Sequence, residues 1–241
     1  MIDYSIQLWS VQSHLEKDFE GTLKALSEMG YTSVEFAGFN NHSAEEIVEI
    51  LDKYNLKVSG THSPVDNLLN NFDETVAFHK AIGNKNYIIP CYWTDKQADI
   101  DNFVSIANEL APKLRAEGIE LCYHNHGIEF TQNADGSLAF DQYFYRTDIS
   151  FEIDVFWAYV AMKNPVMALE RAGKRVKFVH IKDGTESNES RVSGKGDVPI
   201  EDVFNYCVKN NLPMVVENEP APEDELTEAK LCLEYLRSLE K

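Results

Sequence analysis

Basic residues are scarce in this chain. Its 241 residues include 22 Lys and Arg against 40 Asp and Glu, a formal net charge of −18. A nucleic-acid backbone is repelled by such a field unless a local basic patch overcomes it. The densest basic segment, Lys174-Arg175-Val176-Lys177, is short and runs into an apolar stretch. Nucleic acid is therefore not an expected partner. Long hydrophobic runs are missing too: nothing approaches the roughly 18 apolar residues of a membrane span. The opening Met1-Ile2-Asp3-Tyr4 lacks the basic segment of a secretory signal. No membrane partner and a cytoplasmic location are expected. Cysteine is sparse, and Cys91, Cys122, Cys207 and Cys232 are far apart with no Cys-x-x-Cys. That excludes a zinc ribbon or a dithiol redox motif and leaves buried, reduced thiols as the simplest reading. With 12 Gly and 8 Pro, collagen-like and linker-rich organisations are excluded.

What is present is an alternation. Short β-rich runs fall at Tyr4–Leu8, Ser33–Phe36, Lys57–Thr61, Tyr87–Pro90, Glu120–Tyr123, Ser150–Asp154, Lys177–Ile181 and Met214–Glu217. Their spacing of about 30 residues is that of a strand-loop-helix-loop unit. Between them lie segments of helical period, at Asp18–Met29, Ser43–Tyr54, Asp73–Ile82, Asp99–Glu117, Asp141–Arg146, Pro165–Arg171, Ile200–Asn210 and Asp224–Leu239. Ser43 followed by Glu46 reads as a capping box, and Pro112 predicts a kink. Gly30, Gly83 and Gly118 each stand where a helix gives way to a strand. Eight alternating units imply a parallel sheet, and a closed (β/α)₈ TIM barrel of class α/β, one domain over 1–241, accommodates them. An open doubly wound sheet is the alternative, but the first unit has no Gly-x-Gly-x-x-Gly turn.

A barrel collects its chemistry at the C-terminal ends of its strands. Read in order, those ends carry Gln7 and Trp9; Glu35; His62; Tyr92 and Trp93; His124-Asn125-His126 with Glu129; Asp154 and Trp157; His180, Lys182 and Asp183; then Glu217 and Glu219. Imidazoles and carboxylates converging on one mouth suit a divalent metal. Alternation puts His124 and His126 on one side of their strand. Each residue also has a purely structural reading: His126 as a loop cap, His180 as a satisfied core histidine, Asp154 as a helix cap, Glu217 and Glu35 as members of ion pairs. His14, His42 and His79 fall on helices or loops and are expected at the surface. Trp9, Tyr92, Trp93 and Trp157 can pack the rim or offer faces to a sugar.

Taken together, these stretches resemble the sugar phosphate isomerase/epimerase superfamily, the xylose isomerase-like TIM barrels that include endonuclease IV. The likeness covers nearly the whole chain. It rests on Ile6-Gln7-Leu8-Trp9-Ser10, Gly30-Tyr31-Thr32-Ser33-Val34-Glu35-Phe36, Gly60-Thr61-His62 and Tyr123-His124-Asn125-His126 with Glu129-Phe130. It continues through Ile153-Asp154-Val155-Phe156-Trp157-Ala158, Val179-His180-Ile181-Lys182-Asp183, Gly194-Lys195-Gly196 and Val216-Glu217-Asn218-Glu219. The resemblance implies a metal held by one residue from each of strands five to eight. Asp154, His180 and Glu217 match by type and place. The first position departs: where many members have Glu-Asn-His, this chain has His124-Asn125-His126, as in a branch with a Tyr-His-Asn-His motif. Two imidazoles and two carboxylates favour Mn²⁺, Zn²⁺, Co²⁺ or Fe²⁺ over Mg²⁺.

The implied chemistry is removal and return of a proton beside a carbonyl, through an enediolate that a divalent metal stabilises. It makes the chain an isomerase or epimerase of a free sugar, keto-sugar or cyclitol; loss of a β-leaving group would make it a dehydratase or keto-glycoside lyase. A non-catalytic sugar-binding barrel is the remaining class. Glu129, His126 and Lys182 are the candidate acid/base groups. Glu35, His62, Trp9, Trp157 and Asp183 are candidate substrate contacts. The polar stretch 183–198 is either a lid over the mouth or an idle surface loop. No anion nest is evident, which favours an unphosphorylated carbohydrate. Net charge also weighs against the multi-metal nuclease chemistry of the superfamily. The sequence does not set the oligomeric state; a homodimer is compatible with it.

Overall fold

The computed structural model describes residues 2–92, 96–133, 136–219 and 225–240. Eight parallel strands close into a barrel: β1 Tyr4–Gln7, β2 Ser33–Ala37, β3 Lys57–His62, β4 Asn86–Ile89, β5 Glu120–His124, β6 Ser150–Asp154, β7 Val176–Ile181 and β8 Met214–Val216. Each strand pairs with its neighbours in chain order, and β1 closes the ring against β8. The open-sheet alternative is thereby removed. Among the described residues the helices outnumber the strands, because several units carry an extra short helix. They are α1 Gln12–Lys17, α2 Phe19–Met29, α3 Ala44–Lys53, α4 Val65–Asn70, α5 Phe72–Ala81, α6 Gln97–Ala116, α7 Ala139–Arg146, α8 Val155–Met162, α9 Pro165–Ala172, α10 Ile200–Asn210 and α11 Glu225–Leu239. The expected start of the last helix, Asp224, lies outside the described residues, as does Trp93. No helix among the described residues is long and apolar enough to cross a membrane.

Local chemistry sets the element ends. Ser43 and Glu46 form the reciprocal capping box on α3. Gly30 closes α2 at φ +106°, a left-handed conformation that costs a residue with a Cβ. Pro112 lies inside α6, which continues past it to Ala116.

Period-two alternation divides each strand between two surroundings. Residues such as Ile6, Val34, Tyr87, Leu121, Ile153, Val179 and Val216 face outward into the main core beneath the helices. The alternate positions face into the barrel. Low in that interior, Ile88, Cys122, Phe178 and Val215 make a separate small apolar cluster. The next inward positions toward the strand C-termini are polar: Glu35, His124, Glu152, Asp154 and His180, all buried. Pairing places His124 beside Glu152 and Asp154 beside His180. Register shifts fall at Val34/Glu35 and at Phe151/Glu152, so both deep carboxylates sit at local irregularities of the ladder. Gly60 makes room for this layer, since a Cβ there would lie 2.6 Å from Ile88 Cδ1 and 3.1 Å from Glu35 Oε2.

Candidate metal centre

Four side chains from consecutive strand ends converge on one point. His124 closes β5, Asp154 closes β6, His180 lies within β7 and Glu217 follows β8. One ligand atom from each lies within 4.8 Å of all the others, and all four residues are buried. His124 Nε2 is 3.6 Å from Asp154 Oδ2, and His180 Nδ1 is 2.6 Å from Glu217 Oε2. His124 Nε2, Asp154 Oδ2 and His180 Nδ1 are buried without a hydrogen-bond partner; the close His180–Glu217 approach lacks hydrogen-bond geometry. Unpartnered buried polar atoms are costly, and a divalent cation would satisfy all three. The donor set therefore fits a metal. The pKa directions agree. Burial works against charge on His180, yet Glu152, Glu217 and Glu35 outweigh it and raise its pKa well above the ordinary value. Burial likewise opposes charge on His124, and Asp154 and Glu217 overcome it. A cluster that holds positive charge so strongly is one a divalent cation can enter by displacing protons.

Three of the four side chains are held from behind. Asp154 divides its carboxylate: Oδ1 caps α8 by accepting from Phe156 N at 2.8 Å and Trp157 N at 3.0 Å, leaving Oδ2 for the centre. Its structural reading as a helix cap is thus also correct. Asn125 bonds Asp154 at both backbone groups, accepting from its N at 3.1 Å and donating to its O at 3.3 Å. His124 Nδ1 meets the Pro90 carbonyl at 3.2 Å, which leaves Nε2 for the centre. His180 turns its other nitrogen, Nε2, down to Glu35 Oε1 at 2.8 Å and Glu152 Oε2 at 3.1 Å. A carboxylate on the far nitrogen fixes the tautomer and orientation of a ligating histidine.

Below the centre, His62 and His180 share the same two carboxylates. His62 Nε2 is 2.6 Å from Glu152 Oε2 and 3.2 Å from Glu35 Oε1, and Gln7 Nε2 donates to Glu35 Oε1 at 2.7 Å. Burial and the neighbouring Glu152 raise the Glu35 carboxyl to about 7 against the pull of His180 and His62. Burial lowers the His62 imidazole to about 3, with Glu35 opposing. Glu35 belongs to this supporting layer, while His62 also reaches the mouth cavity. Glu152 escaped sequence reasoning. Its signal was an acid inside an apolar strand, two residues before Asp154 and so on the same face.

Above the centre opens a cavity of about 590 Å³, lined by His124, Glu217, Lys182, Trp9, His62 and His126 among others. Lys182 is buried against Glu217 Oε1 at 2.9 Å and Glu219, with its Nζ 5.3 Å from the Trp157 ring centre. Burial disfavours its charge, but Glu217, Asp154 and Glu219 prevail and raise its pKa. Trp9 is 42% exposed on the rim and donates its indole N–H to Glu219 at 3.3 Å. The concavity near Leu51, Lys57 and Gly83 carries no imidazole.

Two expected site residues have other work. Glu129 is fully buried, accepting from Tyr123 Oη at 2.6 Å and from His126 N at 2.8 Å. It clasps the loop after β5, and both its oxygens are engaged rather than free for acid/base chemistry. Asp183, expected at the substrate, accepts from the backbone N–H of Gly184, Gly194, Gly196 and Val198 at 2.8 to 3.2 Å. It anchors the 183–198 loop from within, and Gly196 allows the approach, because a Cβ there would lie 2.2 Å from Asp183 Oδ1. Within that loop Asp183–Gly184 and Ser190–Arg191 pair as a short antiparallel ribbon. His79 is also corrected: it is buried, meeting Asn84 Nδ2 at 2.9 Å and Thr61 Oγ1 at 3.2 Å. Of the cysteines, Cys91 is exposed and the other three are buried and unpaired.

A closed barrel with a His/Asp/His/Glu cluster at its C-terminal mouth defines a class. The chain belongs to the xylose isomerase-like TIM barrel family, whose model matches residues 23–239. It is similar over 98% of its length, and 94% of the other chain, to a sugar phosphate isomerase/epimerase from Parabacteroides distasonis, at 22% identity and a TM-score of 0.82. A zinc-bound IolI protein is 13% identical over 99% of this chain and 98% of the other, with a TM-score of 0.76. A probable 3-DHS dehydratase from Bacillus anthracis is 8% identical over 97% and 99%, with a TM-score of 0.77. No curated protein matches the chain.

Proposed function

We propose that this protein is a divalent-metal-dependent isomerase or epimerase acting on a free sugar, keto-sugar or cyclitol by moving a proton beside a carbonyl. The carrying observation is the buried His124, Asp154, His180 and Glu217 set, with its unpartnered nitrogen and oxygen atoms, at the floor of the mouth cavity. The two imidazoles favour Mn²⁺, Zn²⁺, Co²⁺ or Fe²⁺ over Mg²⁺. A cation held there supplies Lewis-acid stabilisation of negative charge on a carbonyl oxygen. The chain's own groups do the remainder. His126 opens its imidazole into the cavity and takes and returns the proton. The Lys182 ammonium, charge-paired with Glu217 and Glu219, offsets developing negative charge. His62 bonds a substrate hydroxyl, and Trp9 and Trp157 offer aromatic faces to a ring. The family membership and the likeness to a sugar phosphate isomerase/epimerase support this reading.

A lyase or dehydratase on the same site is the second reading, favoured by a further cavity that adjoins the mouth and gives a leaving group room. The test is proton exchange. Metal-loaded protein is incubated with ketoses, aldoses and keto-cyclitols in D₂O, and NMR follows the C–H beside the carbonyl. Exchange or product formation that disappears in Asp154→Asn is the expected result. No exchange with any of them, metal being bound, would replace this reading with a non-catalytic sugar-binding barrel.

A further inference from the structure

We infer that the ligand of this site is a two-part molecule: a hydroxylated, carbonyl-bearing part over the metal centre, joined to an uncharged apolar or aromatic group in a second cavity. The inference deepens the proposed function, narrowing its keto-sugar class to a keto-sugar conjugate, and rests on it. The mouth cavity of about 590 Å³ adjoins another of about 570 Å³, and the two share Pro64, Pro90, Cys91 and His126 as walls. Either volume alone falls in the range of roughly 300 to 1,000 Å³ usual for a small-ligand pocket. One sugar ring over the metal centre therefore leaves the second space open.

The two spaces differ in chemistry. The first is lined by His124 and Glu217 of the metal set and by Lys182. The second is walled by Val65, Tyr92 and Ile128 besides the shared prolines. Its polar groups are largely occupied. Both oxygens of Glu129 are taken by Tyr123 and the His126 backbone, and the Tyr92 hydroxyl accepts from Asn102 at 2.6 Å. Among the described residues Asp66 is the remaining acid, and neither Lys nor Arg lines the space. A phosphate or carboxylate would find no counter-charge there, whereas an uncharged ring or alkyl group would cover Ile128, now 45% exposed. At the fork stands His126, which walls both cavities and whose Nδ1 is buried without a partner. A group linking the two parts, such as a glycosidic oxygen, would pass beside the His126 ring.

Cys91 supplies a direct probe, because it lines both cavities and is the exposed cysteine of the four. Mn²⁺-loaded protein is alkylated with iodoacetamide, and mass spectrometry follows Cys91 in the presence of phenyl or methyl keto-glycosides, made from the glycosides of glucose, galactose and xylose by oxidation of one ring hydroxyl to a ketone. The phenyl member of at least one pair is expected to protect at a concentration about tenfold lower than its methyl partner. Ile128→Asp, a change at an exposed position, is expected to erase that difference while leaving metal content unaltered. Equal protection by phenyl and methyl members, including none by either, would overturn the inference, as would a preference that survives Ile128→Asp. Metal content, measured on the same samples, reports separately on the proposed function: failure of the aryl preference with metal bound leaves the metal centre standing.

Discussion

At the scale of single residues, the centre depends on side chains that each do two things. Asp154 caps α8 with one oxygen and faces the cluster with the other. Asn caps a helix about as well as Asp. Asp154→Asn should therefore keep thermal stability within about 1 kcal/mol of the parent metal-free protein while losing metal retention. A large loss of stability in the metal-free state would show that the carboxylate charge serves the fold. Glu152 acts one layer down, through His180 Nε2. Glu152→Gln should weaken metal binding by about 10- to 100-fold, as loss of such a supporting carboxylate does, measured by competition with a chelator. Unchanged affinity would leave Glu152 a packing residue.

At the scale of elements, two carboxylates tie distant backbone segments together. Asp183 gathers four backbone N–H groups of the 183–198 loop. Asp183→Ala should leave several buried donors unpaired, at about 1 to 3 kcal/mol each, and expose the loop to limited proteolysis. Resistance equal to the parent would mean the loop is held by its ribbon alone. Glu225, opening α11, accepts from Ser13 N at 3.3 Å, His14 N at 3.2 Å and His14 Nδ1 at 2.8 Å, capping the first turn of α1 across the sequence. Burial would raise its pKa, but His14 and Ser13 outweigh that and lower it. A carboxyl whose folded pKa lies below its unfolded one stabilises the fold above the unfolded value and ceases to as pH falls through the folded value. Glu225→Gln should thus cost about 1 to 3 kcal/mol near neutrality, with the gap to the parent closing toward acid in urea titrations. A gap constant across acid pH would contradict this.

At the scale of the whole molecule, the barrel was legible because each strand reads with period two and each helix with period 3.6, punctuated by glycines. Those signals are local, and the ladder in chain order follows from them. The cluster was legible for the same reason: His124, Asp154, His180 and Glu217 stand at strand ends, where a barrel must converge. What stayed hidden depends on contacts between distant residues. Whether Glu129 and Asp183 face a cavity or satisfy backbone N–H groups is decided by loops that sequence alone does not place. His79 looked like a surface helix residue until Thr61 and Asn84, from other segments, closed over it. Glu152 was masked by its apolar neighbours Phe151 and Ile153, although its parity with Asp154 was there to read. The same convergence of buried carboxylates and imidazoles gives the metal proposal a consequence for stability. A cation present at a hundred times its dissociation constant adds about 2.7 kcal/mol to the native state. Stripping with a chelator should then lower Tm by about 5 to 10 °C in a chain this long, with recovery on adding Mn²⁺ or Zn²⁺. An unchanged Tm would mean that the fold gains nothing from the ion.

The most direct test of the central claim is the metal content of the purified protein by elemental analysis, with His180→Ala measured beside it. About one Mn, Zn, Co or Fe per chain in the parent and none in the variant is the expected result. No metal in either protein, and none taken up from solutions of these ions, would contradict the account and leave His124, Asp154, His180 and Glu217 as a proton-bearing network inside a TIM barrel.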